Sequence, residues 1–177
     1  MEITEIEDRK RFQKLDIEKI MDLLLFQVRN LWRVDGLYFL GIEEKFGTNL
    51  ATEIDANCWS SLAKIEAKEL KKIFGLDQVE SVKDLLELLS NTSWALYQTK
   101  KEIEISENSG IFRVVSCKIQ EARLKKGLQI FPCKKVRFGY LKSFVEELNK
   151  NFEVICKFCP PDLKPEDCWC EWEFRKK

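Results

Sequence analysis

The stretch CKFCPPDLKPEDCWCEWEF, residues 156–174, carries the strongest structural signal in the chain. It predicts a C-terminal β-hairpin with strands at 152–158 and 168–174, because the segment between them is rich in proline, which cannot donate to a β-ladder. The prolines are Pro160, Pro161 and Pro165. Cysteines therefore stand at both ends of the hairpin loop.

The cysteines of this hairpin have the spacing of a structural zinc site. Zinc prefers four tetrahedral thiolate or imidazole ligands, and a close cysteine pair on a turn commonly supplies two of them. Cys156 and Cys159 form such a pair, directly before two prolines that stiffen the backbone. The spacing leaves two ligand sets open. They are Cys156, Cys159, Cys168 and Cys170, or the set in which Cys133 replaces Cys170.

Upstream of the hairpin the chain alternates between strand and helix signals. Residues 102–105 have a period of two, and the β-branched segment 111–119 is predicted to be their antiparallel partner. Residues 128–131 add a short strand, and apolar residues at helical spacing predict a helix over 136–148. The half formed by residues 100–177 is therefore predicted to hold the sheet, one helix and the zinc hairpin.

The N-terminal half has the pattern of long helices. Asp16 is a predicted N-cap for a helix, or two nearly collinear ones, that reaches Phe46. Gly47 and Thr48 predict a stop and a new start, and the second helix runs to Phe74. A capping box at Ser81 begins a third helix. The fold class is α+β, with residues 1–177 as one domain and 1–99 mainly helical, packed on an antiparallel sheet.

Composition excludes several classes of function. The chain of 177 residues has 30 basic and 30 acidic residues, so no overall basic field attracts nucleic acid. No apolar run reaches the roughly 20 residues that span a bilayer, so we expect no membrane segment. The N-terminus lacks a secretory pattern, which predicts the reducing cytoplasm and free cysteines. Histidine is absent, which rules out Ser-His and Cys-His catalytic pairs.

Five residues of the helical half are candidates for a ligand pocket. Trp32, Asp35 and Phe39 step by three or four residues and share one helix face, so a carboxylate points into an apolar stripe. Such a carboxylate needs a partner. Asp55 and Trp59, one turn apart on the next helix, can join them across a helical hairpin. The alternative for Asp35 is a buried hydrogen bond at the point where Gly36 breaks the helix. The alternative for Asp55 is a solvated position at the edge of its helix.

Other reactive or charged residues have simpler explanations. Cys58 and Cys117 each stand alone in an apolar pattern and are predicted to be core residues. Arg123 and Arg137 lie among lysines, and this pattern predicts a solvated face.

The ending, with Cys156-Lys-Phe-Cys159 and then Cys168-Trp-Cys170, resembles the closing hairpin of 4-vinyl reductase domains. In the aromatic-sensing relatives an upstream Cys, a Glu and two further Cys hold zinc. Carried over by position, these ligands fall on Cys133, Cys156, Cys159 and Cys168, with Cys in the place of Glu. The resemblance therefore implies a closed, structural site with four thiolates.

The same resemblance implies a class of function. The 4-vinyl reductase family binds small, often hydrophobic molecules, and its relatives include the L-2-amino-thiazoline-4-carboxylic acid hydrolase-like proteins. The helical half, including residues 32–36 and the stretch to Trp59, is closer to an uncharacterised branch near those hydrolase-like proteins. We therefore expect a zinc-containing protein that binds a small apolar or aromatic ligand.

Two rival functions remain open at this point. The first is a hydrolase of a small heterocyclic or amide substrate, in which Asp35, Asp55 or Cys58 acts in the helical pocket while zinc stays structural. The second is a partner-binding subunit, because vesicle-tethering relatives of this fold work as dimers. The second rival predicts a homodimer.

Overall fold

The computed structural model describes residues 3–162 and 165–177. Its helices in the N-terminal half are α1 (Ile3–Phe12), α2 (Ile17–Phe46), α3 (Thr48–Ile73), α4 (Val82–Ser90) and α5 (Ser93–Tyr97). The predicted long helices are therefore confirmed. The second half holds β1 (Lys100–Ile105), β2 (Ser109–Ser116), α6 (Lys118–Lys125), α7 (Lys134–Leu148), β3 (Phe152–Phe158) and β4 (Cys170–Lys176).

Local signals fix the ends of the long helices. The Asp16 carboxylate accepts a hydrogen bond from the Lys19 amide at 2.9 Å, which satisfies one free N–H of the first turn of α2. Gly47 adopts a φ of 83°, which favours glycine, and separates α2 from α3. The prediction that Thr48 is the N-cap of the second helix is wrong, because Thr48 is the first residue of α3. Gly36 does not break α2, because the helix continues unbroken to Phe46.

The four strands form one antiparallel sheet in the order β1-β2-β4-β3. The predicted C-terminal hairpin is the β3–β4 pair, with Val154 opposite Phe174 and Cys156 opposite Trp172. The β4 strand lies between β2 and β3, and its alternate side chains are buried. Trp172 and Phe174 are completely buried.

Of two strand predictions in the second half, the antiparallel partner of residues 102–105 is confirmed except at its C-terminal end, and the short strand at 128–131 is wrong. The strand predicted over 111–119 ends at Ser116, and the chain turns at once into α6. Residues 128–131 form no strand in the described part of the chain. The second half therefore holds two helices rather than one.

Helix α7 is the central support between the helical half and the sheet. It packs along α3 on one side and against β3 on the other. Helix α3 therefore reaches the sheet through α7, and α2 packs on α3 and α5, while α4 lies directly on β2 and β4. This corrects the simpler expectation that all the N-terminal helices pack on the sheet.

Among the described residues, no helix combines the length and the apolar character needed to cross a lipid bilayer.

Candidate functional site

A cavity of about 380 Å³ lies where α2, α3 and α5–α7 meet the inner strands β2 and β4 of the sheet. All five residues predicted as pocket residues contribute to its wall. They are Trp32, Asp35, Phe39, Asp55 and Trp59. Further wall residues come from the second half and include Cys117, Cys133, Val136, Arg137 and Cys170. The structure thus brings the five predicted residues together, and their role in binding stays a prediction.

Stacked aromatic rings form one side of the cavity. The Trp32 ring lies between the rings of Trp59 and Tyr97, with centroids 4.4 Å and 4.9 Å away. The Trp32 indole N–H donates to the Ser93 carbonyl at 3.0 Å, which fixes the middle ring of the stack. Tryptophan and tyrosine side chains have only two χ angles each, and a hydrogen bond holds the Trp32 ring, so this aromatic surface is rigid. Its shape is therefore formed before any ligand binds.

Asp35 and Asp55 form a carboxyl pair at the wall of the cavity. The Trp59 indole N–H donates to Asp35 Oδ1 at 3.1 Å, and the two carboxyl groups share a hydrogen bond. Burial raises the pKa of Asp35. Burial, and then the neighbouring charge of Asp35, raises the pKa of Asp55 to about 7. The pair therefore holds one proton near neutral pH. Asp55 is buried, so the alternative that it is a solvated charge at the helix edge is wrong.

Arg137 enters the cavity wall from α7, surrounded by aromatic rings. Its guanidinium lies 4.7 Å from the Trp94 centroid, 4.9 Å from Tyr140, 5.4 Å from Trp59 and 5.8 Å from Trp32. The prediction that Arg137 belongs to a solvated face is wrong, because the residue is only 5% exposed. The electron-rich ring faces stabilise the buried cation.

Two buried polar atoms of the cavity residues lack a hydrogen-bond partner among the described residues. They are Nη1 of Arg137 and Oε1 of Gln98. Both residues line the cavity and both are about 5% exposed. A buried polar atom without a hydrogen-bond partner costs about 1–3 kcal/mol of free energy. A bound molecule that forms hydrogen bonds with these two atoms therefore gains the most binding free energy at these positions.

Sequence reasoning overlooked Arg137 although a signal was present. Along α7, Cys133, Arg137, Tyr140 and Phe144 step by four, three and four residues, so the arginine lies in the apolar stripe and not opposite to it. Arg123 was also assigned to the surface. It is 8% exposed, and two of its guanidinium nitrogens donate to the carboxylate of Glu43 at 2.8 and 2.9 Å.

A cluster of thiols adjoins the cavity. Cys133 Sγ and Cys159 Sγ are 3.5 Å apart, and the Cys159 thiol also makes a hydrogen bond with Cys170. The hydrogen bond from Cys159 lowers the pKa of Cys133 despite burial. Cys133 precedes α7 and Cys170 begins β4, so the cluster joins the helical layer to the central strand.

The remaining cysteines lie in different surroundings. The Cys168 thiol donates to the carbonyls of Val114 and Cys170 at 3.4 and 3.3 Å. Cys156 is half-buried on β3, and burial raises its pKa to about 11. Within residues 3–162 and 165–177, no group of three or more Cys, Asp or Glu side chains is arranged to hold a metal ion. Cys58 is exposed and not part of the core, which corrects the prediction.

The sequence pattern of a protein family described as a family of unknown function, DUF6125, matches residues 13–176. The chain belongs to the DUF6125 family. None of the curated proteins matches it. The DUF6125 match begins after α1 and includes every element that contributes to the cavity, from α2 to β4.

The DUF6125 description names no ligand, metal or reaction. The resemblance to 4-vinyl reductase domains therefore stays a prediction. In this DUF6125 protein the cavity combines an aromatic wall, a carboxyl pair and a buried guanidinium, which together can hold an apolar body and orient a polar group.

Proposed function

We propose that this protein binds a small apolar or aromatic molecule in the cavity between the helices and the sheet. One observation carries the proposal: Arg137 Nη1 and Gln98 Oε1 are buried in an aromatic-walled cavity and have no partner among the described residues. A protein interior without a ligand role normally pairs such atoms. A ligand that accepts from the first and donates to the second satisfies both.

The size and surface of the cavity support the same proposal. Its volume of about 380 Å³ falls at the lower end of the range of roughly 300–1,000 Å³ for small-molecule sites. A molecule of one or two rings fits this space. The neighbouring stack of Trp59, Trp32 and Tyr97 supplies dispersion contacts for a flat ligand without a large ordering cost.

Two glycines of α2 allow a matched test. A Cβ added at Gly36 or at Gly41 meets nothing within 4 Å, so both positions have open space at the start of a side chain. Only Gly36 lines the cavity. Gly36→Leu therefore adds bulk at the ligand site, while Gly41→Leu adds the same bulk elsewhere on the same helix.

The probe for this test is N-phenyl-1-naphthylamine, a neutral aromatic amine whose fluorescence rises in apolar surroundings. We expect saturable binding to the unmodified protein, about tenfold or weaker binding to Gly36→Leu, and unchanged binding to Gly41→Leu. Circular dichroism checks that both variants fold. Equal binding by the two variants, or no binding by the unmodified protein, would contradict the proposal.

A structural zinc ion at the thiol cluster is the second part of the proposal. Sulfurs about 2.3 Å from a tetrahedral zinc are about 3.8 Å apart, and Cys133 and Cys159 are already at 3.5 Å. The Cys159–Cys170 hydrogen bond favours Cys170 as a third ligand, in place of the Cys168 expected from the resemblance. Cys156 is the remaining candidate. Zinc bound by thiolates would fasten α7 to β4 and contribute no chemistry to the cavity.

Metal analysis of the reduced protein tests this part independently of ligand binding. We expect about one zinc per chain, lost together with several degrees of melting temperature in Cys133→Ser and Cys159→Ser. The exposed Cys58→Ser is the matched control and keeps the metal. If Cys170→Ser keeps zinc and Cys168→Ser loses it, the resemblance names the correct ligand. An unmodified protein without zinc removes this part of the proposal.

One observation favours a hydrolase as the second candidate function. The Asp35–Asp55 pair holds one shared proton, with a pKa of about 7 for Asp55. An ionised carboxylate can take a proton from an attacking water while the protonated carboxyl gives one to a leaving nitrogen, which is the division of roles that hydrolysis of an amide needs. Cys58, the other residue considered, does not line the cavity.

Asp35→Asn separates the two functions. A hydrolase loses turnover of 4-nitroacetanilide by at least about a hundredfold while N-phenyl-1-naphthylamine still binds. A binding protein shows no turnover before or after the substitution. Turnover that survives in both Asp35→Asn and Asp55→Asn would exclude the carboxyl pair from any reaction.

A further inference from the structure

Four cations of the cavity wall have no ionic partner within residues 3–162 and 165–177. They are Arg33 on α2, Lys118 and Lys126 around α6, and Arg137 on α7. Across the described residues, no carboxylate oxygen lies within 4.0 Å of any of them, whereas Arg123, in the same wall, is paired with Glu43. Arg33 donates a hydrogen bond to the neutral side chain of Asn30 at 2.8 Å.

The wall therefore differs in charge from the protein as a whole. The chain has equal numbers of acidic and basic residues. Among the wall residues the only acids are Asp35 and Asp55, which share a proton. Glu43 neutralises Arg123, so the wall carries four other positive charges and one negative charge, which belongs to the aspartate pair.

The positions of these cations divide the cavity into two ends. Arg137 is buried, and its positive charge acts on the carboxyl groups of Asp35 and Asp55. Arg33 and Lys126 are exposed, and Lys118 is half-buried with its ammonium 5.1 Å from the Tyr97 ring centroid. The inner end is thus close to neutral, and the mouth is positive.

We infer that the ligand is an amphipathic organic anion, whose apolar or aromatic body occupies the cavity and whose oxyanion lies at the mouth beside Arg33, Lys118 and Lys126. The inference rests on the proposed function and narrows it to a chemical class. The inner polar atoms, Arg137 Nη1 and Gln98 Oε1, then contact a neutral polar group of the same molecule. Lys118 stands at the end of the aromatic stack, where a carboxylate or sulfonate attached to a stacked ring would lie.

Two related probes separate charge from apolar binding. 8-Anilinonaphthalene-1-sulfonate is an aromatic anion, and N-phenyl-1-naphthylamine has the same ring system without the sulfonate. We expect the anion to bind about tenfold or more tightly than the amine at low salt. In 1 M salt, where the Debye length is about 3 Å, most of the difference disappears.

The matched variants are the triple substitution Arg33→Gln, Lys118→Gln and Lys126→Gln, and the control Lys125→Gln. Lys125 is exposed on α6 and does not line the cavity. The triple variant is expected to lose about tenfold in affinity for the anion and to keep its affinity for the amine. The control keeps both affinities, and Gly36→Leu weakens both, which shows that the probes occupy the cavity.

The outcomes distinguish this inference from the proposal on which it rests. If neither probe binds in a manner that Gly36→Leu weakens, the cavity is not a ligand site and both fail. If both probes bind equally and the triple variant leaves them unchanged, the cavity binds neutral apolar molecules and only the inference fails. If Arg137→Gln, and not the triple variant, removes the preference for the anion, the oxyanion lies at the inner end and its placement at the mouth is overturned.

Discussion

At the scale of single residues, the Asp35–Asp55 pair predicts a dependence of stability on pH. Between the unfolded pKa of about 4 and the folded pKa of about 7 for Asp55, the native state holds a proton that the unfolded chain has released. The free energy of unfolding therefore falls as pH rises through this window. Below pH 4 the contribution is fully present, and above pH 7 it is lost.

Asp55→Asn tests this dependence because the amide stays neutral at every pH. From pH 5 to pH 8, we expect the unmodified protein to lose about 2 kcal/mol more of its unfolding free energy than the variant, measured by urea denaturation. The exposed Asp22→Asn, on α2, is the control and should parallel the unmodified protein. Parallel curves for the unmodified protein and Asp55→Asn would show that the pair does not titrate in this range.

Glu66 provides a second prediction for a single residue. Its carboxylate accepts from the Ser93 amide at 2.8 Å and from the Tyr140 hydroxyl at 2.6 Å, so it links α3, α5 and α7 beneath the cavity. Glu66→Ala leaves two enclosed donors without their partner and should lower the unfolding free energy by about 3 kcal/mol. Glu69→Ala, exposed one turn later, should change it by less than about 0.5 kcal/mol. Equal effects would mean that water replaces the carboxylate.

At the scale of secondary-structure elements, Gly110 allows α4 to lie directly on β2. A Cβ at this position would be 2.3 Å from Leu86 Cδ1 and 3.0 Å from Val82 Cγ1, and both side chains are fully buried. Gly110→Ala should therefore lower the unfolding free energy by about 2 kcal/mol through overpacking. Gly41→Ala, in open space on α2, should raise it by about 0.5–1 kcal/mol.

A double-mutant cycle identifies the contact responsible. Leu86→Ala alone leaves a cavity, but in the Gly110→Ala background the new methyl group occupies part of that space. The two effects should fall short of additivity by at least about 1 kcal/mol. Additive effects would mean that the strain at Gly110 is relieved by backbone movement and not by Leu86.

Secondary structure could be predicted from the sequence where each element has its own signal. The α2 helix has an N-cap at Asp16 and a terminating glycine, and α4 has the Ser81 capping box, whose hydroxyl accepts from the Asp84 amide. The missed helix α6 has neither. Its sequence, KIQEARLK, has no apolar stripe, and its N-cap residue Cys117 makes no side-chain cap. The β-branched residues before it therefore suggested a longer strand.

The candidate site was predictable only from the helical half. The spacing of Trp32, Asp35 and Phe39 identified a shared helix face, and the structure places it on the cavity. Arg137 was missed because a positive charge next to lysines is usually solvated, and three of its four aromatic neighbours, Trp32, Trp59 and Trp94, come from distant parts of the chain. The choice among the cysteines depends on which strand residue faces α7, and sequence spacing does not determine this.

At the scale of the whole molecule, stability is distributed unevenly between the two ends of the chain. Residues 5–14 are all exposed, and α1 forms no extensive contact with any other helix or strand. The β4 strand, at the other end, pairs with both β2 and β3 and buries Trp172 and Phe174 completely. Each of these aromatic side chains contributes about 3–5 kcal/mol, against a total stability of about 5–15 kcal/mol for a domain.

Truncation at the two ends should therefore have opposite results. Deletion of residues 1–14 should leave the melting temperature within about 2 °C and the binding of N-phenyl-1-naphthylamine unchanged, because no wall residue of the cavity is removed. Deletion of residues 171–177 should abolish cooperative unfolding, since it removes most of the strand that joins the two halves of the sheet. Hydrogen exchange of the intact chain tests the same difference in local stability. We expect the backbone amides of α1 to exchange first and those of β4 to exchange last. A cooperative transition in the C-terminal truncation would mean that α3 and α7 form a stable core without the sheet.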